Sequence, residues 1–217
     1  MASGKVSSWA YSEEFVDESR VIGDESLLAR ARERAGELGI DPVLPGAGQV
    51  LRLLAAAVDA QAVVEIGTGA GVGSLYLLSG MNADGVLTTI DTEIENQRAA
   101  KEAFAEAKVR PARVRTIAGS PRDVVGRLTD HAYDLVCFPA QVPQAMALLE
   151  HALRLLRPGG ALVITNALHH DRVADPAARD AQTSAIRDLL AAVRDDERLR
   201  PALLPSGDGV LAAISRG

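Results

Sequence analysis

Residues 63–78 read VVEIGTGAGVGSLYLL: two β-branched residues, an acid, four glycines at alternate positions, and then apolar residues at helical spacing. Such a pattern predicts a buried strand, a tight turn and a helix that starts at the turn. Glycine has no Cβ and tolerates positive φ, so the turn suits a ligand that approaches the backbone closely near a helix N-terminus. The spacing excludes two common ligands. A dinucleotide fingerprint reads G-x-G-x-x-G, whereas Gly67, Gly69, Gly71 and Gly73 give G-x-G-x-G-x-G, with Val72 at the third fingerprint glycine. A phosphate loop ends in Gly-Lys-Ser/Thr, and no lysine follows this turn.

Working outward, short apolar strands alternate with helical runs. Strands are predicted at 62–66, 86–90, 113–117, 133–138 and 160–165, with helices at 72–81, 94–107, 121–129 and 142–156 between them. That alternation predicts an α/β fold with a mostly parallel sheet and helices on both faces. A helix at 180–194 is followed by RPALLPSGDGVLAAIS, two extended runs around Gly-Asp-Gly, which predict a hairpin and an antiparallel C-terminal strand. Toward the N-terminus, Leu27, Leu28, Ala31, Ala35 and Leu38 recur at helical spacing between an Asp24 N-cap and a Gly39 stop, and GQVLRLLAAAV gives a second extra helix. Residues 1–217 are expected to form one domain, with 1–42 as an N-terminal helical cap.

Composition narrows the partners. The chain has 217 residues, a net charge of -6 and a pI near 5.3, and its basic residues, all but three of them arginine, are scattered among acids. No nucleic-acid surface is expected from such a balance. The lone Cys137 lies within the apolar run YDLVCF and reads as a buried strand thiol in a reducing compartment. The sequence contains no run of about 18 apolar residues, so no membrane association is expected and the location is expected to be cytoplasmic.

In an open parallel sheet, ligands sit beyond the carboxyl ends of the strands where strand order switches direction. The first strand delivers Glu65 and the glycine turn. The second ends at Asp91, a carboxylate able to accept hydrogen bonds from both hydroxyls of a ribose, and the third is followed by AGSP at 118–121, small enough for a flat ring to lie against backbone. Together these features specify an adenosine-shaped site.

These segments, with YDLVCF, LLRPGGALVITNAL and LLPSGDGVLAAI, resemble in order the motifs of S-adenosylmethionine-dependent O-methyltransferases of the catechol and caffeoyl-CoA type, most of all those of actinobacteria. The resemblance spans residues 40–217. It implies a class I methyltransferase (Rossmann-like) fold and a homodimer, with S-adenosylmethionine as the cofactor and a hydroxyl of a small molecule such as a phenol as the acceptor. It also implies that Val43 touches the cofactor, that Glu65, Gly67, Thr68 and Gly71 line its methionine part, that Asp91 and Thr92 hold its ribose, and that Gly119 and Ser120 flank its adenine. The family's serine after the turn falls on Gly73, and Ser74 stands one place later as its replacement.

Two departures bear on the chemistry. Where the family reads phenylalanine-isoleucine-aspartate-alanine-aspartate-lysine, this chain has Cys137 through Val142, so Pro139 replaces a Mg²⁺-binding aspartate, Gln141 a cofactor-side aspartate and Val142 the lysine. Where the family has aspartate-asparagine, this chain has Thr165-Asn166, leaving Asn166 as the one retained ligand. A hard cation held through carboxylates is therefore not expected, and Pro139 and Asn166 are left on the substrate side. Without a metal, His169 and His170 are the nearest candidates for a general base. His131 and His151 read as structural or surface residues. The other function compatible with these losses is a catalytically degenerate protein that binds S-adenosylmethionine or S-adenosylhomocysteine. At the N-terminus, Trp9, Tyr11 and Phe15 offer an apolar contact, either to a second copy or to their own domain.

Overall fold

A computed structural model describes residues 8–15, 17–22 and 24–217; the remainder of the expected cap, 1–7, 16 and 23, lies outside the described residues. Its centre is a seven-stranded sheet of β1 (Ala62–Ile66), β2 (Val86–Asp91), β3 (Val114–Ala118), β4 (Tyr133–Pro139), β5 (Leu156–Thr165), β6 (Leu199–Leu204) and β7 (Val210–Ser215), in the order β3-β2-β1-β4-β5-β7-β6. The first five strands pair in parallel, while β7 pairs antiparallel with both β5 and β6, as the Gly-Asp-Gly hairpin predicts. Strand order switches direction between β1 and the parallel β4, so the carboxyl ends of these two strands mark the crevice.

The strands read as apolar runs because both faces are covered. Val63, Leu87, Leu135 and Val163 point into one core, and Val64, Val136, Leu162 and Ile164 into the other. Helices α5 (Val72–Gly80) and α6 (Ile94–Glu106) pack on the first side, and α8 (Ala145–Leu155) and α9 (Ala181–Asp195) on the second, with the short α7 (Pro121–Val125) after β3.

Four helices precede the sheet: α1 (Ser8–Glu14), α2 (Ser19–Ile22), α3 (Glu25–Glu37) and α4 (Pro45–Ala57). Asp24 caps α3 by accepting the Ser26 N–H at 2.9 Å, and Gly39 ends it at φ +68°. The cap is fastened to the sheet domain by charge. Glu18 accepts both Nη atoms of Arg32, at 2.8 and 2.5 Å, as well as the Tyr76 hydroxyl of α5, and Glu106 of α6 accepts from Arg30 and Arg34. Two glycines set the crossing of α4 over α5. A Cβ on Gly48 would stand 2.3 Å from the Tyr76 ring, and one on Gly80 2.1 Å from the Arg52 carbonyl oxygen.

Some boundaries differ from those predicted. β5 begins at Leu156 rather than at the predicted 160, because Arg157-Pro158-Gly159-Gly160 is an irregularity within the strand: Gly159 takes φ +76° and the β4–β5 register shifts between Tyr133 and Leu135. The helix predicted at 121–129 stops at Val125, and the one predicted from 142 starts at Ala145, after Pro143 and the left-handed Gln144.

Candidate active site

The glycine turn is built as its sequence requires. Gly67, Gly69 and Gly71 take φ of +89°, +51° and +87°, a region closed to most side chains, and Gly71 serves as the N-cap of α5. Above the turn lies a cleft of about 240 Å³ whose walls are the 40–43 segment, the ends of β1, β4 and β5, and the start of α6. A second recess of about 230 Å³ adjoins it, sharing Ile66, Gly67 and Asp91 and adding Thr92, Ser120 and Gln144. The two hollows, one over the turn and one over the ends of β2 and β3, share Ile66, Gly67 and Asp91.

Asp91 stands where the two meet. Its Oδ2 accepts the Gly69 N–H at 2.9 Å, and its Oδ1 accepts the Glu93 N–H at 2.9 Å and the Asn96 amide at 3.2 Å. Three donors fix the carboxylate while lone-pair capacity remains for a ligand. Glu65 forms the floor. It is buried, and its Oε2 accepts the Thr89 hydroxyl at 2.7 Å and the Ser74 hydroxyl; Thr68 in turn lies 2.8 Å from Thr89. Burial raises the Glu65 carboxyl to about 7, with Asp91 adding to the rise and the two hydroxyl donors opposing it. A Cβ on Gly73 would come within 2.8 Å of Glu65 Oε1, so the glycine at the family's serine position leaves room beside that oxygen. Burial together with Glu65 pushes the Cys137 thiol up, leaving it a neutral part of the wall.

Of the residues singled out by sequence, Val43, Glu65, Gly67, Thr68, Gly73, Asp91, Pro139 and Asn166 line the main cleft, and Thr92 and Ser120 the recess. Gly71 lies behind the turn, against Ala100 and Phe104. Ser74 is fully buried and its hydroxyl donates to Glu65. Gly119 donates its N–H to the Asp91 carbonyl, and Gln141 is on neither wall. Neither histidine lines the cleft. The His169 Nδ1 is buried without a partner among the described residues, while the exposed His170 sits 3.9 Å from Asp208. Asn96 and Asp41 were not anticipated. Asn96 falls in the first turns of α6, five residues after Asp91, which is the one sequence signal that a polar side chain there would turn back onto the strand end.

The Mg²⁺ site that the resemblance implies at residues 139, 165 and 166 calls for carboxylates that this donor set lacks. At the three ligand positions stand a proline with no donor, a hydroxyl at Thr165 and the Asn166 amide, and no group of three or more His, Cys, Asp or Glu among the described residues is arranged to hold an ion. Neutral oxygens alone do not offset the dehydration of Mg²⁺.

A sheet ordered β3-β2-β1-β4-β5-β7-β6 with an antiparallel β7, and a glycine turn at its switch point, give the chain the class I methyltransferase fold. The chain belongs to the O-methyltransferase family, whose model matches residues 23–215. It is 50% identical over 195 residues to the "Putative O-methyltransferase" of Mycobacterium sp. (strain JLS), covering 88% of this chain and 87% of that protein. Among solved structures, a protein of Corynebacterium glutamicum aligns with a TM-score of 0.83 at 35% identity over 95% of both chains. The O-methyltransferase TomG of Streptomyces achromogenes, solved in complex with S-adenosylmethionine and involved in tomaymycin synthesis, aligns with a TM-score of 0.82 at 26% identity, over 98% of this chain and 99% of that one.

Proposed function

We propose that this protein binds S-adenosylmethionine across the two joined hollows and transfers its methyl group to a hydroxyl of a small acceptor such as a phenol, with no bound metal. The observation that carries the reading is the position of Asp91 between cleft and recess, with lone pairs free for a ribose. The left-handed Gly67 and Gly69 bring backbone against the methionine part, Glu65 offers its free oxygen from below, Thr92 lies beside the ribose, and Ser120 flanks the adenine. The cofactor, when bound, supplies an electrophilic methyl group on a sulfonium. The chain contributes position: Pro139 and Asn166 hold the acceptor in line and keep water from the methyl group.

No histidine or lysine lines the cleft, and its three carboxylates, Asp41, Glu65 and Asp91, face the cofactor rather than the acceptor in this reading. The acceptor proton therefore leaves to solvent, and the best acceptors are those whose hydroxyl ionises near neutrality. Turnover to S-adenosylhomocysteine, measured over a panel of neutral phenols, tests the reading; no turnover with any hydroxyl acceptor would refute it.

The chain also assembles as a homodimer in this reading. Helix α1 is docked to its own domain, since Glu13 accepts the Gly46 and Gly207 N–H groups, each at 2.7 Å, and Trp9 donates to the Gly207 carbonyl. Its outer face still leaves Tyr11 and Phe15 65% and 76% exposed, which is the apolar surface offered to a second copy. No helix among the described residues is long and apolar enough to cross a membrane.

A further inference from the structure

We propose that Asp41 is a cofactor-recognition residue, whose carboxylate takes the ammonium of the cofactor's amino-acid tail. The inference rests on the S-adenosylmethionine reading of the cleft. Segment 40–43, between α3 and α4, crosses the glycine turn: Ile40 Cγ2 lies 3.6 Å from where a Cβ on Gly69 would stand, and Val43 Cγ2 3.6 Å from that of Gly73. The segment lines the main cleft and not the recess of Thr92 and Ser120, and Val43, beside Gly73 and Glu65, brings it to the methionine part.

Asp41 lines this cleft and, among the described residues, has neither a hydrogen bond nor an ion pair. Of the cleft's acids, Asp41 is the one with no hydrogen bond on either oxygen among the described residues: Glu65 Oε2 accepts two hydroxyls, and the two oxygens of Asp91 accept two backbone N–H groups and an amide. No lysine, arginine or histidine lines the cleft to compete for Asp41. The need for such a group arises at Gln141, which stands where the resemblance places a cofactor-side aspartate, carries no charge and lies on neither wall. The ammonium of the zwitterionic tail thus loses a counter-charge on one side of the cleft, and the unengaged carboxylate of Asp41 restores it from the other.

The segment holding Asp41 is well placed to present it. Gly39 closes α3 with the Ile40 N–H donating to the Ala35 carbonyl at 2.9 Å, Pro42 restricts the backbone, and Glu13 fixes the first turn of α4 through Gly46.

Titration calorimetry on the full chain with two probes tests this. S-adenosylhomocysteine carries the tail; 5′-methylthioadenosine has the same nucleoside and sulfur without it. Asp41→Asn is expected to weaken S-adenosylhomocysteine by about three- to tenfold, the range for a charged hydrogen bond at an exposed site, and to leave 5′-methylthioadenosine unchanged. Asp41→Glu should retain most of the affinity. Unchanged binding of S-adenosylhomocysteine in Asp41→Asn, or equal weakening of both probes, would overturn the proposal while leaving the cofactor reading standing. Failure of the unmodified protein to bind either probe would overturn both.

Discussion

Replacing Glu65 by glutamine should make the protein more stable and a poorer binder of its cofactor. The side chain is buried under the cleft, and burial lifts its carboxyl from an ordinary 4.5 to about 7. A carboxyl raised by folding favours the protonated folded state. Its stabilising effect is therefore complete below pH 4.5 and is lost as pH rises through 7. At about 1.4 kcal/mol per pKa unit, the ionised form at pH 8 is disfavoured by about 3 kcal/mol relative to a neutral isostere. Glutamine can keep the Ser74 and Thr89 hydroxyl bonds through its carbonyl, so Glu65→Gln should match the unmodified protein at pH 4 and exceed it by about 3 kcal/mol at pH 8. Urea unfolding of both proteins across this range reads the difference directly, because all other titrating groups cancel. Calorimetry at pH 8 should show weaker binding of S-adenosylhomocysteine by the variant. A stability difference that does not change with pH would refute the buried, high-pKa assignment.

Other outcomes follow from the same geometry. Asp91→Ala should weaken S-adenosylmethionine by about 1.5–3 kcal/mol in calorimetry, since it removes the acceptor at the junction of cleft and recess. Gly80→Ala should destabilise the fold by about 1–3 kcal/mol in thermal or urea unfolding, because the new Cβ would stand 2.1 Å from the Arg52 carbonyl oxygen. If acceptor protons leave to solvent, the rising limb of the pH–rate profile should move with the pKa of the phenol used; a limb that stays fixed across phenols and disappears in His169→Ala would make that histidine the base instead. Tyr11→Lys with Phe15→Glu should shift a sedimenting dimer to monomer, and an unchanged mass would exclude the α1 face as the interface.

The sheet was legible because its strands are buried on both faces and are punctuated by glycine turns, so VVEIG and LTTID announce both their structure and their ends. The C-terminal hairpin was legible for the same reason. Pro158-Gly159-Gly160 misled because punctuation residues can also distort a strand, and only pairing with β4 shows that the chain continues through them. Within the site, Asp91 and the glycines could be read from position relative to the strand ends. The fate of the Ser74 hydroxyl could not, since it depends on Glu65, nine residues earlier, turning under the same turn. Asp41 was hidden for a related reason: it lies in a connecting segment with no periodicity, and its place in the cleft is set by where α3 docks on α6.

The most direct test of the central claim is the rate of methyl transfer from S-adenosylmethionine to a phenolic acceptor, measured in excess EDTA and again with added Mg²⁺. Because Pro139, Thr165 and Asn166 offer no carboxylate, the rate should be the same under both conditions. Loss of activity in EDTA with recovery on adding Mg²⁺ would contradict it, and would require other groups of the chain to supply the ligands.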